Sequence, residues 1–458
     1  MTRRENPAAM RLSGWGNYPV ESCRVSRPET AAAMREVVLH GGEQSYISRG
    51  LGRSYGDSAL NRDQGVLLQT SQDRLLTFDA EHGRLACEAG ISLAEIIDVF
   101  LPRGWALPTT PGTKFVTVGG AIAADVHGKN HHRDGSLGNF VIDLQLLTAA
   151  GQILHCSRDE NTDVFWATVG GMGLTGSILS ATLRLVPVET AYVEVDYQRT
   201  TNLGDTLERL TATNRDFHFS VAWIDCLARG KSLGRSVLML ANDAPRSALP
   251  IHLQADPLRL PRRRRRSVPF HLPSCLLNSW SVGLFNEVYY RSHPDRRRLV
   301  DVDTFFYPLD TVLNWNRIYG RRGFVQYQVL FPPQTSHDAL ARLLERVAAR
   351  RQASFLAVLK SMGAAGPGWL SFPFEGHTLA LDLPYRGEQT DRILAELDAL
   401  VLEHGGRLYL AKDATMSAET FRAMYPGLAR FRQLKAEIDP NNRFSSSQAR
   451  RLGIVGPQ

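Results

Sequence analysis

The sequence predicts an α+β protein with two domains. Its 458 residues exceed the length that a single hydrophobic core usually organises. Up to about residue 190, short strand-like runs alternate with short helical patterns, whereas strands and helices become longer from Ala191 onward. Helices mixed with strands in this way are typical of the α+β class. A hydrophobic fraction of 43% and a charged fraction of 22% are ordinary for a globular chain.

Local signals define the first elements. Thr30 precedes a helical run, Ala31 to Leu39, that two glycines end. Ser92 is placed to cap a second helix over Leu93 to Phe100, which Pro102 and Gly104 stop. The short run from 84 to 89 is typical of a strand.

The second half begins with a longer strand pattern. Residues 192–197 alternate apolar and polar side chains, which predicts a strand. Helical patterns follow at Leu203 to Thr213 and at Ser336 to Arg350. We interpret residues 191–406 as a second domain.

Residues 245–285 are the least regular part of the chain. Four prolines discourage regular structure there, and Arg262 to Arg266 form an unbroken basic run, followed by apolar residues that include Trp280 and Leu284. One reading is a solvated, mobile insertion. The other is a contact with an anionic membrane surface, which arginines beside apolar residues suit. Nucleic-acid binding is not predicted, because the run lacks a binding motif or interleaved stacking residues.

The composition also bears on location. The five scattered cysteines form no CxxC pair, which argues against a disulfide framework or a zinc site and favours a reducing compartment. The basic start lacks the apolar core of a signal peptide, and no apolar run is long enough for a membrane span. We therefore expect a cytoplasmic protein without a metal, peripheral at the inner face of the membrane if the basic run binds lipid.

The strongest functional signal is a loop of ten residues, Ser48 to Asp57, with the sequence SRGLGRSYGD. Glycines let backbone N–H groups turn toward a bound group, and arginine adds bidentate donors for phosphate. Successive N–H groups form an anion site. Because the glycines do not follow the GxGxxG spacing before a helix, the loop predicts a pyrophosphate cradle that differs from a Rossmann turn.

Two further glycine-rich segments support a cofactor. Residues 111–132 contain PGT, then VTVGGAIAA, then HGKNHH, and residues 170–176 read GGMGLTG. Small residues over this length let a flat ring lie against the backbone. Three such loops between strand-like runs predict one long cofactor held by a single domain.

These segments resemble the vanillyl-alcohol-oxidase-type FAD-binding proteins, and within them the flavoprotein subunits of decaprenylphosphoryl-β-D-ribose 2′-epimerases. The likeness continues through 323–328, YLAKD at 409–413 and IDPNNRF at 438–444, so that it covers nearly the whole chain. It implies a two-domain PCMH-type FAD-binding fold, with a substrate domain built on an antiparallel sheet. The implied division is an FAD domain at 1–190, a substrate domain at 191–406 and a C-terminal segment at 407–458 that returns to the FAD domain.

The resemblance implies FAD as the cofactor and assigns residues to it. These are Ser48, Arg49, Gly50, Leu51, Gly52, Arg53, Ser54, Tyr55, Gly56, Asp57, Gly112, Thr113, Thr117, Val118, Gly119, Gly120, Ala124, His127, Gly128, Lys129, Asn130, Ile178 and Tyr409. Related oxidases often carry a histidine at the position of Arg53 that bonds covalently to FAD. We therefore expect noncovalent FAD, with Arg53 offering charge to the pyrophosphate.

The implied chemistry is alcohol oxidation, in which FAD takes the hydride of a carbinol carbon. Lys412 is the leading active-site candidate, because the resemblance places it beside both the substrate and the flavin. A lysine in a partly dry site has a lowered pKa and can act as a base or orient the hydroxyl. Tyr55 and His127 are the other candidates for the proton path. His131 and the histidine after it are expected to be structural.

Substrate contacts are also implied. Alternation in a strand places Gln326 and Gln328 on one face, and both resemble polar pocket positions of the family. Lys360 and Lys412 complete this set, although a solvated lysine is almost as good a reading of Lys360. Ala380 stands where the best-known members carry a pocket cysteine, so no covalent inhibitor adduct is expected there.

The most specific expectation is oxidation of the 2′-hydroxyl of a polyprenylphosphoryl-β-D-ribose to the 2′-keto intermediate. A separate NAD(P)H-dependent short-chain reductase would then complete the epimerisation to arabinose. The alternatives are oxidation of a soluble alditol or sugar lactone, and a flavin-binding protein without turnover.

Overall fold

A computed structural model describes residues 8–261, 263–273, 277–350 and 356–456. The strands up to residue 190 are β1 (Ala8–Ser13), β2 (Val20–Ser26), β3 (Tyr46–Arg49), β4 (Gly65–Leu68), β5 (Leu75–Asp79), β6 (Arg84–Glu88), β7 (Trp105–Ala106), β8 (Val141–Leu147), β9 (Ile153–Ser157), β10 (Ser177–Arg184) and β11 (Val186–Pro187). The later strands are β12 (Tyr192–Thr200), β13 (Phe219–Ile224), β14 (Ser236–Asp243), β15 (Arg266–Ser267), β16 (Arg296–Asp301), β17 (Val312–Leu313), β18 (Phe324–Phe331), β19 (Ala357–Met362), β20 (Gly376–Pro384) and β21 (Arg407–Leu408).

The helices lie between these strands and after the last one. They are α1 (Ala31–His40), α2 (Leu93–Phe100), α3 (Val118–Ala123), α4 (His131–Asp134), α5 (Thr162–Thr168), α6 (Leu203–Thr213), α7 (Ile251–Gln254), α8 (Ser279–Ser292), α9 (Val302–Phe306), α10 (Pro333–Ala349), α11 (Glu388–Glu403), α12 (Ala418–Met424), α13 (Leu428–Ile438) and α14 (Ser447–Arg451). None of the helices in the described ranges is long and apolar enough to cross a bilayer.

The local signals in the sequence locate several elements well. Thr30 caps α1 by accepting the backbone N–H of Ala33, and Ser92 forms a capping box with Glu95 at the start of α2. Helix α6 has the predicted bounds, whereas α10 begins three residues before the predicted Ser336. Together with the antiparallel sheets, these helices confirm the α+β class.

Two sheets organise the first half. One has the order β1-β2-β4-β3, with parallel pairing of β4 to both neighbours, and the other has the antiparallel order β5-β6-β10-β8-β9. The glycine-rich loop at 48–57 follows β3, and the segment at 170–176 leads into β10. Both loops therefore begin or end at strands that the sheets hold in place.

A larger antiparallel sheet forms the second half, in the order β16-β12-β14-β13-β19-β20-β18-β21. Helices α6, α10 and α11 pack beside it and share its main hydrophobic cluster. Leu238, Leu359 and Leu379 are completely buried in that cluster. Side chains alternate between the two faces of a strand. Met239, next to Leu238, and Val358, next to Leu359, therefore point to the other face of the sheet.

The C-terminal residues contact the start of the chain. Tyr46 donates its backbone N–H to Arg443 O, and Ser445 donates to Tyr46 O. Arg451 pairs with Asp57 at 2.6 Å. These contacts agree with a C-terminal segment that returns to the N-terminal part, while the division at residues 190 and 406 stays a prediction.

The segment 245–285 is more regular than we expected. It contains α7, the short strand β15 paired with β17, and the first half of α8. Helix α8 begins because Asn278 forms a capping box with Ser281 once the prolines are passed. Arg262 lies outside the described residues, and the arginines from 263 to 266 are exposed.

Candidate active site

An open cavity of about 800 Å³ lies between the glycine-rich loops and the face of the eight-stranded sheet opposite α6, α10 and α11. Residues from β12, β14, β13, β19, β20 and β18 line one side of it. The loops around Gly50, Gly119 and Gly173 line the other side. Segments far apart in the chain thus form one cavity.

The loop after β3 has the backbone geometry of an anion cradle. The backbone N–H groups of residues 50–54 donate to no acceptor within the described ranges of the chain. Gly52 has φ +65°, and a Cβ at Gly50 would lie 2.2 Å from Thr117 Oγ1. Successive N–H groups without protein acceptors, in a loop that only glycine permits, are suited to bind phosphate oxygens.

Helix α3 brings a second backbone segment to the same cavity. Thr117 caps this helix, and its Oγ1 accepts the N–H of Gly120. Gly119 packs so closely on the residue after β6 that a Cβ would lie 3.0 Å from Ala89 Cβ. The cradle and this flat glycine-rich wall together fit a dinucleotide whose ring lies against backbone. The described residues contain no cluster of side chains suited to hold a metal ion.

Most of the residues assigned to FAD line the cavity. These are Ser48, Gly50, Leu51, Gly52, Arg53, Ser54, Tyr55, Gly112, Thr113, Thr117, Gly119, Gly120, Ala124, His127, Gly128, Lys129, Ile178 and Tyr409. Five others do not line it. These are Arg49, Gly56, Asp57, Val118 and Asn130.

The five residues away from the cavity have structural contacts instead. The guanidinium of Arg49 donates to Ser13 O and Ala59 O, and Asn130 Nδ2 donates to Pro108 O. Val118 is completely buried in the core.

Gly56 and Asp57 join the first loop to the C-terminal segment. A Cβ at Gly56 would lie 1.8 Å from Asp413 O, so only glycine permits this approach. Asp57 and Asp413 both accept from Arg451, at 2.6 and 2.9 Å. The glycine and the acid of this loop thus fix its backbone on the turn that carries Lys412.

Arg53 is turned toward protein groups. Its guanidinium lies 3.9 Å from the centroid of the Trp15 ring, and its Nε donates to Phe115 O at 3.1 Å. Arg53 also lines the cavity, and its role in offering charge to the pyrophosphate stays a prediction. The cradle consists of backbone N–H groups.

Lys412 and Tyr55 lie together in the cavity. The Tyr55 backbone N–H donates to Ala411 O, which holds the tyrosine beside the lysine, and Lys412 Nζ lies 3.9 Å from the Tyr55 ring centroid. Burial lowers the pKa of Lys412 to about 7, with a further decrease from Lys360 and an opposing increase from Asp382. A free amine is thus accessible near neutral pH.

The buried carboxyl group of Asp382 lies near Lys412 and Tyr55. Asp382 accepts Gln326 Nε2 at 2.6 Å and the Tyr319 hydroxyl at 3.2 Å. Burial raises the pKa of Asp382 to about 7, although Gln326 and Lys412 oppose the increase. The sequence interpretation assigned it no role. The sequence does contain a pattern that points to it: in the run LALDL, strand alternation places Asp382 on the same face as Ala380. In the structure, the antiparallel register pairs Asp382 with Gln326.

His127 is held between Gln328 and Lys360. The Thr378 hydroxyl donates to Val329 O, so its oxygen accepts Gln328 Nε2 at 3.2 Å. Gln328 Nε2 lies 3.1 Å from His127 Nε2, and when the amide donates there the imidazole proton is on Nδ1. Nδ1 lies 3.1 Å from Lys360 Nζ and can donate to it only when Lys360 is a free amine.

The pKa of Lys360 decides when it can accept from His127. Burial and the charge of Lys360 lower the pKa of His127 well below its usual value, so the imidazole is neutral. Burial lowers the pKa of Lys360 to about 8. Lys360 is therefore largely an ammonium below about pH 8 and a free amine above it, whereas Lys412 reaches its free amine at about pH 7.

The neighbouring basic residues have structural partners. Lys129 donates to Phe305 O and Phe306 O, and His131 Nδ1 accepts the N–H of Gly363. His132 Nε2 lies 3.1 Å from Phe217 O. The HGKNHH motif thus supplies one histidine to the cavity.

Comparison with known families identifies the fold. Residues 24–157 match the FAD-binding domain family, and residues 332–452 match the D-arabinono-1,4-lactone oxidase family. These matches confirm the PCMH-type FAD-binding fold, the FAD cofactor and the oxidoreductase class that the motifs indicated.

Relatives extend the match over nearly the whole chain. The chain is 37% identical over 451 residues to decaprenylphosphoryl-β-D-ribose oxidase of Mycolicibacterium smegmatis, covering 97% of this chain and 98% of that protein. It is 39% identical over 372 residues to an uncharacterized protein of Streptomyces coelicolor, covering 80% of this chain and all of that protein. It is 23% identical over 462 residues to L-gulono-1,4-lactone dehydrogenase of Mycobacterium tuberculosis, covering 97% and 99%. The chain therefore belongs to the decaprenylphosphoryl-β-D-ribose oxidase family of FAD-dependent oxidoreductases.

Proposed function

We propose that the protein oxidises the 2′-hydroxyl of a polyprenylphosphoryl-β-D-ribose to the 2′-keto sugar. The observation that carries the proposal is the polar cluster of Gln326, Gln328, Lys360 and Lys412, which faces one cavity with the loops of the FAD-binding domain. Amides and amines are the donors and acceptors that a sugar and a phosphate require. The relationship to decaprenylphosphoryl-β-D-ribose oxidase over nearly the full length supports the same substrate class.

In the proposed mechanism, a side chain of the protein accepts the proton of the substrate hydroxyl. Bound FAD supplies the hydride acceptor. The free amine of Lys412 accepts the hydroxyl proton, and Tyr55 positions that amine through its ring at 3.9 Å. Asp382 holds Gln326 from behind, so that the amide presents a fixed orientation to the sugar. His127 and Gln328 keep Lys360 oriented beside them.

FAD is held without a covalent bond in this proposal. Backbone N–H groups of residues 50–54 would hold the pyrophosphate, and the glycine-rich wall at Gly119 and Gly120 would leave room for the ring system. Arg53, at the position of the covalent histidine in related oxidases, stacks on Trp15. The FAD domain is residues 1–190, the substrate domain 191–406, and the segment 407–458 supplies Lys412 to the site between them.

Anaerobic reduction of the yellow holoenzyme tests the proposal. A polyprenylphosphoryl-ribose should bleach the flavin absorbance, whereas free alditols and sugar lactones should not. Bleaching by a lactone alone would favour the alternative activity, for which the match of residues 332–452 to the lactone oxidase family is the supporting observation. Absence of bleaching by all three would reject turnover of either class.

The keto product implies a second enzyme. Return of a hydride to the opposite face of the 2′-carbon gives the arabino epimer, and a separate NAD(P)H-dependent short-chain reductase is the class that performs this step. Mixing the holoenzyme, its substrate and such a reductase should consume NAD(P)H only when the oxidase is present. Consumption without the oxidase would contradict the proposed order.

A peripheral membrane contact is the last part of the proposal. Trp280, Leu284 and Val288 recur every four residues along α8 and are 90%, 69% and 59% exposed. The arginines at 263–266 are exposed nearby in the chain, and β15, which contains the last of them, pairs with β17 at the cavity. Arginines beside an apolar face suit an anionic bilayer.

Vesicle flotation tests this contact. The protein should float with phosphatidylglycerol vesicles, less with phosphatidylcholine vesicles, and less at high salt. The double variant Trp280→Ser/Leu284→Ser should lose flotation, while Ile153→Ser, another exposed apolar residue on β9, should retain it. Equal flotation of both variants would contradict a contact through α8.

A further inference from the structure

The cavity floor changes from polar to apolar across the large sheet. On β18 and β20 the residues that line the cavity are the polar Gln326, Gln328 and Thr378, together with the small Ala380. On β13, β14 and β12 they are the apolar and aromatic residues Val221, Trp223, Met239 and Tyr197. Strand β19 contributes both kinds, Lys360 and Val358.

The strand register makes the apolar part continuous. Gln328 pairs with Ala380, Ala380 with Val358, and Val358 with Trp223. On the next strands Val221 pairs with Met239 and Met239 with Tyr197. Cross-strand partners lie side by side on one face. With neighbouring strands about 4.8 Å apart, the row from β20 to β12 spans about 19 Å.

Helix α8 covers the apolar end of this row. The Tyr289 ring lies 4.5 Å from the Trp223 ring, and His293 lies 4.2 Å from Tyr289 and 5.7 Å from Tyr197. Tyr289 and His293 both line the cavity. The apolar row therefore has a floor made by the sheet and a cover made by α8.

Polar contacts hold this cover on the sheet. Asn286 Nδ2 donates to Asp225 Oδ1 at 2.7 Å, and Arg235 joins Asp225 to Glu287 at 2.8 Å each. Tyr290 donates its hydroxyl to Thr200 O. These contacts fix α8 while its opposite face, with Trp280, is exposed.

We propose that the row of Val358, Trp223, Val221, Met239 and Tyr197 under α8 binds the first isoprenoid units of the substrate's lipid chain. This inference rests on the proposed function, since it deepens the substrate assignment. The sugar and phosphate occupy the polar end at Gln326 and Gln328, and the chain leads away beneath α8. The row then determines which length of lipid chain the enzyme prefers. Small soluble sugars bind weakly because they have no lipid chain to occupy the row.

Ribose phosphodiesters of increasing chain length test the inference. Methylphosphoryl-, geranylphosphoryl- and farnesylphosphoryl-ribose are compared by anaerobic flavin reduction, with the apparent Kd taken from the dependence on substrate concentration. Burial of apolar carbons should lower Kd by about tenfold or more from methyl to farnesyl. Equal Kd values across the series in the wild-type holoenzyme would overturn the inference.

A matched pair of variants locates the effect. Met239→Asn should remove most of the difference in Kd between the methyl and farnesyl substrates. Met10→Asn makes the same change on β1, outside the cavity, and should keep the wild-type ratio. An unchanged ratio in Met239→Asn would place the chain elsewhere.

A binding assay separates this inference from the proposed function. Farnesyl phosphate should quench tryptophan fluorescence of the holoenzyme, and Trp223→Phe should remove most of that quenching. Quenching of this kind supports the apolar row even if no ribose substrate reduces the flavin. Flavin reduction without any quenching by farnesyl phosphate would reject the row while the proposed oxidation stands.

Discussion

Lys412 Nζ lies 3.9 Å from the centroid of the Tyr55 ring, although 357 positions separate the two residues in the chain. The Tyr55 backbone N–H reaches Ala411 O, one residue before the lysine. This relationship brings the glycine-rich loop and the C-terminal segment to one point of the cavity. It makes Lys412 the group whose removal is most informative.

Replacement of Lys412 by methionine should slow anaerobic flavin reduction about 10²–10⁴-fold, because a base contributes that much. The wild-type rate should rise with pH through about 7, since burial lowers the pKa of Lys412 to about 7 and the free amine accumulates above it. Lys412→Met should lose this pH dependence and keep its FAD. Lys231→Met, an exposed lysine, is the control. A variant with the wild-type rate and pH profile would exclude Lys412 as the base.

Asp382→Asn should shift the pH profile of flavin reduction to lower pH. The negative charge of Asp382 raises the pKa of Lys412, so its removal lowers that pKa further and produces free amine at more acidic pH. Asparagine can still accept from Gln326, which preserves the local contact. Asp295→Asn, on an exposed aspartate, should leave the profile in place. A shift to higher pH would contradict the coupling.

Gly50→Ala should weaken FAD binding about 5- to 150-fold, the range expected when overpacking costs about 1–3 kcal/mol. The new Cβ would lie 2.2 Å from Thr117 Oγ1 and displace the cradle from α3. Gly42→Ala is the matched control, because a Cβ there meets nothing within 4 Å. FAD titration of the apoproteins measures both. Equal affinity in the two variants would show that the cradle does not hold the cofactor.

Acid precipitation should release all of the yellow colour into the supernatant. Arg53 offers no nucleophile for flavin attachment, and its guanidinium is stacked on Trp15. Absorbance of the washed pellet and mass spectrometry of the denatured chain give the measurement. Colour or a flavin mass on the denatured chain would contradict noncovalent binding.

Arg451→Met should lower the free energy of unfolding by about 3–5 kcal/mol, because it leaves the largely buried carboxylates of Asp57 and Asp413 without their shared partner. Arg430→Met breaks an exposed pair with Asp163 and should cost less than about 1 kcal/mol. Urea unfolding monitored by circular dichroism compares them. Similar decreases in the free energy of unfolding for the two variants would mean that the contacts of Arg451 with Asp57 and Asp413 add little stability.

Local patterns were sufficient wherever the determining contacts are close in sequence. Ser92 and Glu95 form the capping box of α2 within four residues, and the start of α1 follows from Thr30 in the same way. The glycine loop could be recognised as an anion cradle because its backbone N–H groups depend on its own glycines. Patterns were less reliable at 245–285, because the prolines there argue against regular structure although Asn278 caps the start of α8.

The sequence by itself determined the α+β class, the glycine-rich cofactor loops and the candidate base Lys412. Only the tertiary structure decided that Arg53 stacks on Trp15, that Asp57 binds Arg451 and that Asp382 lies behind Gln326. The physical reason is that helix caps and glycine turns are satisfied by neighbours in the chain. A buried charge takes whichever partner the fold brings near, and that partner can be hundreds of residues away.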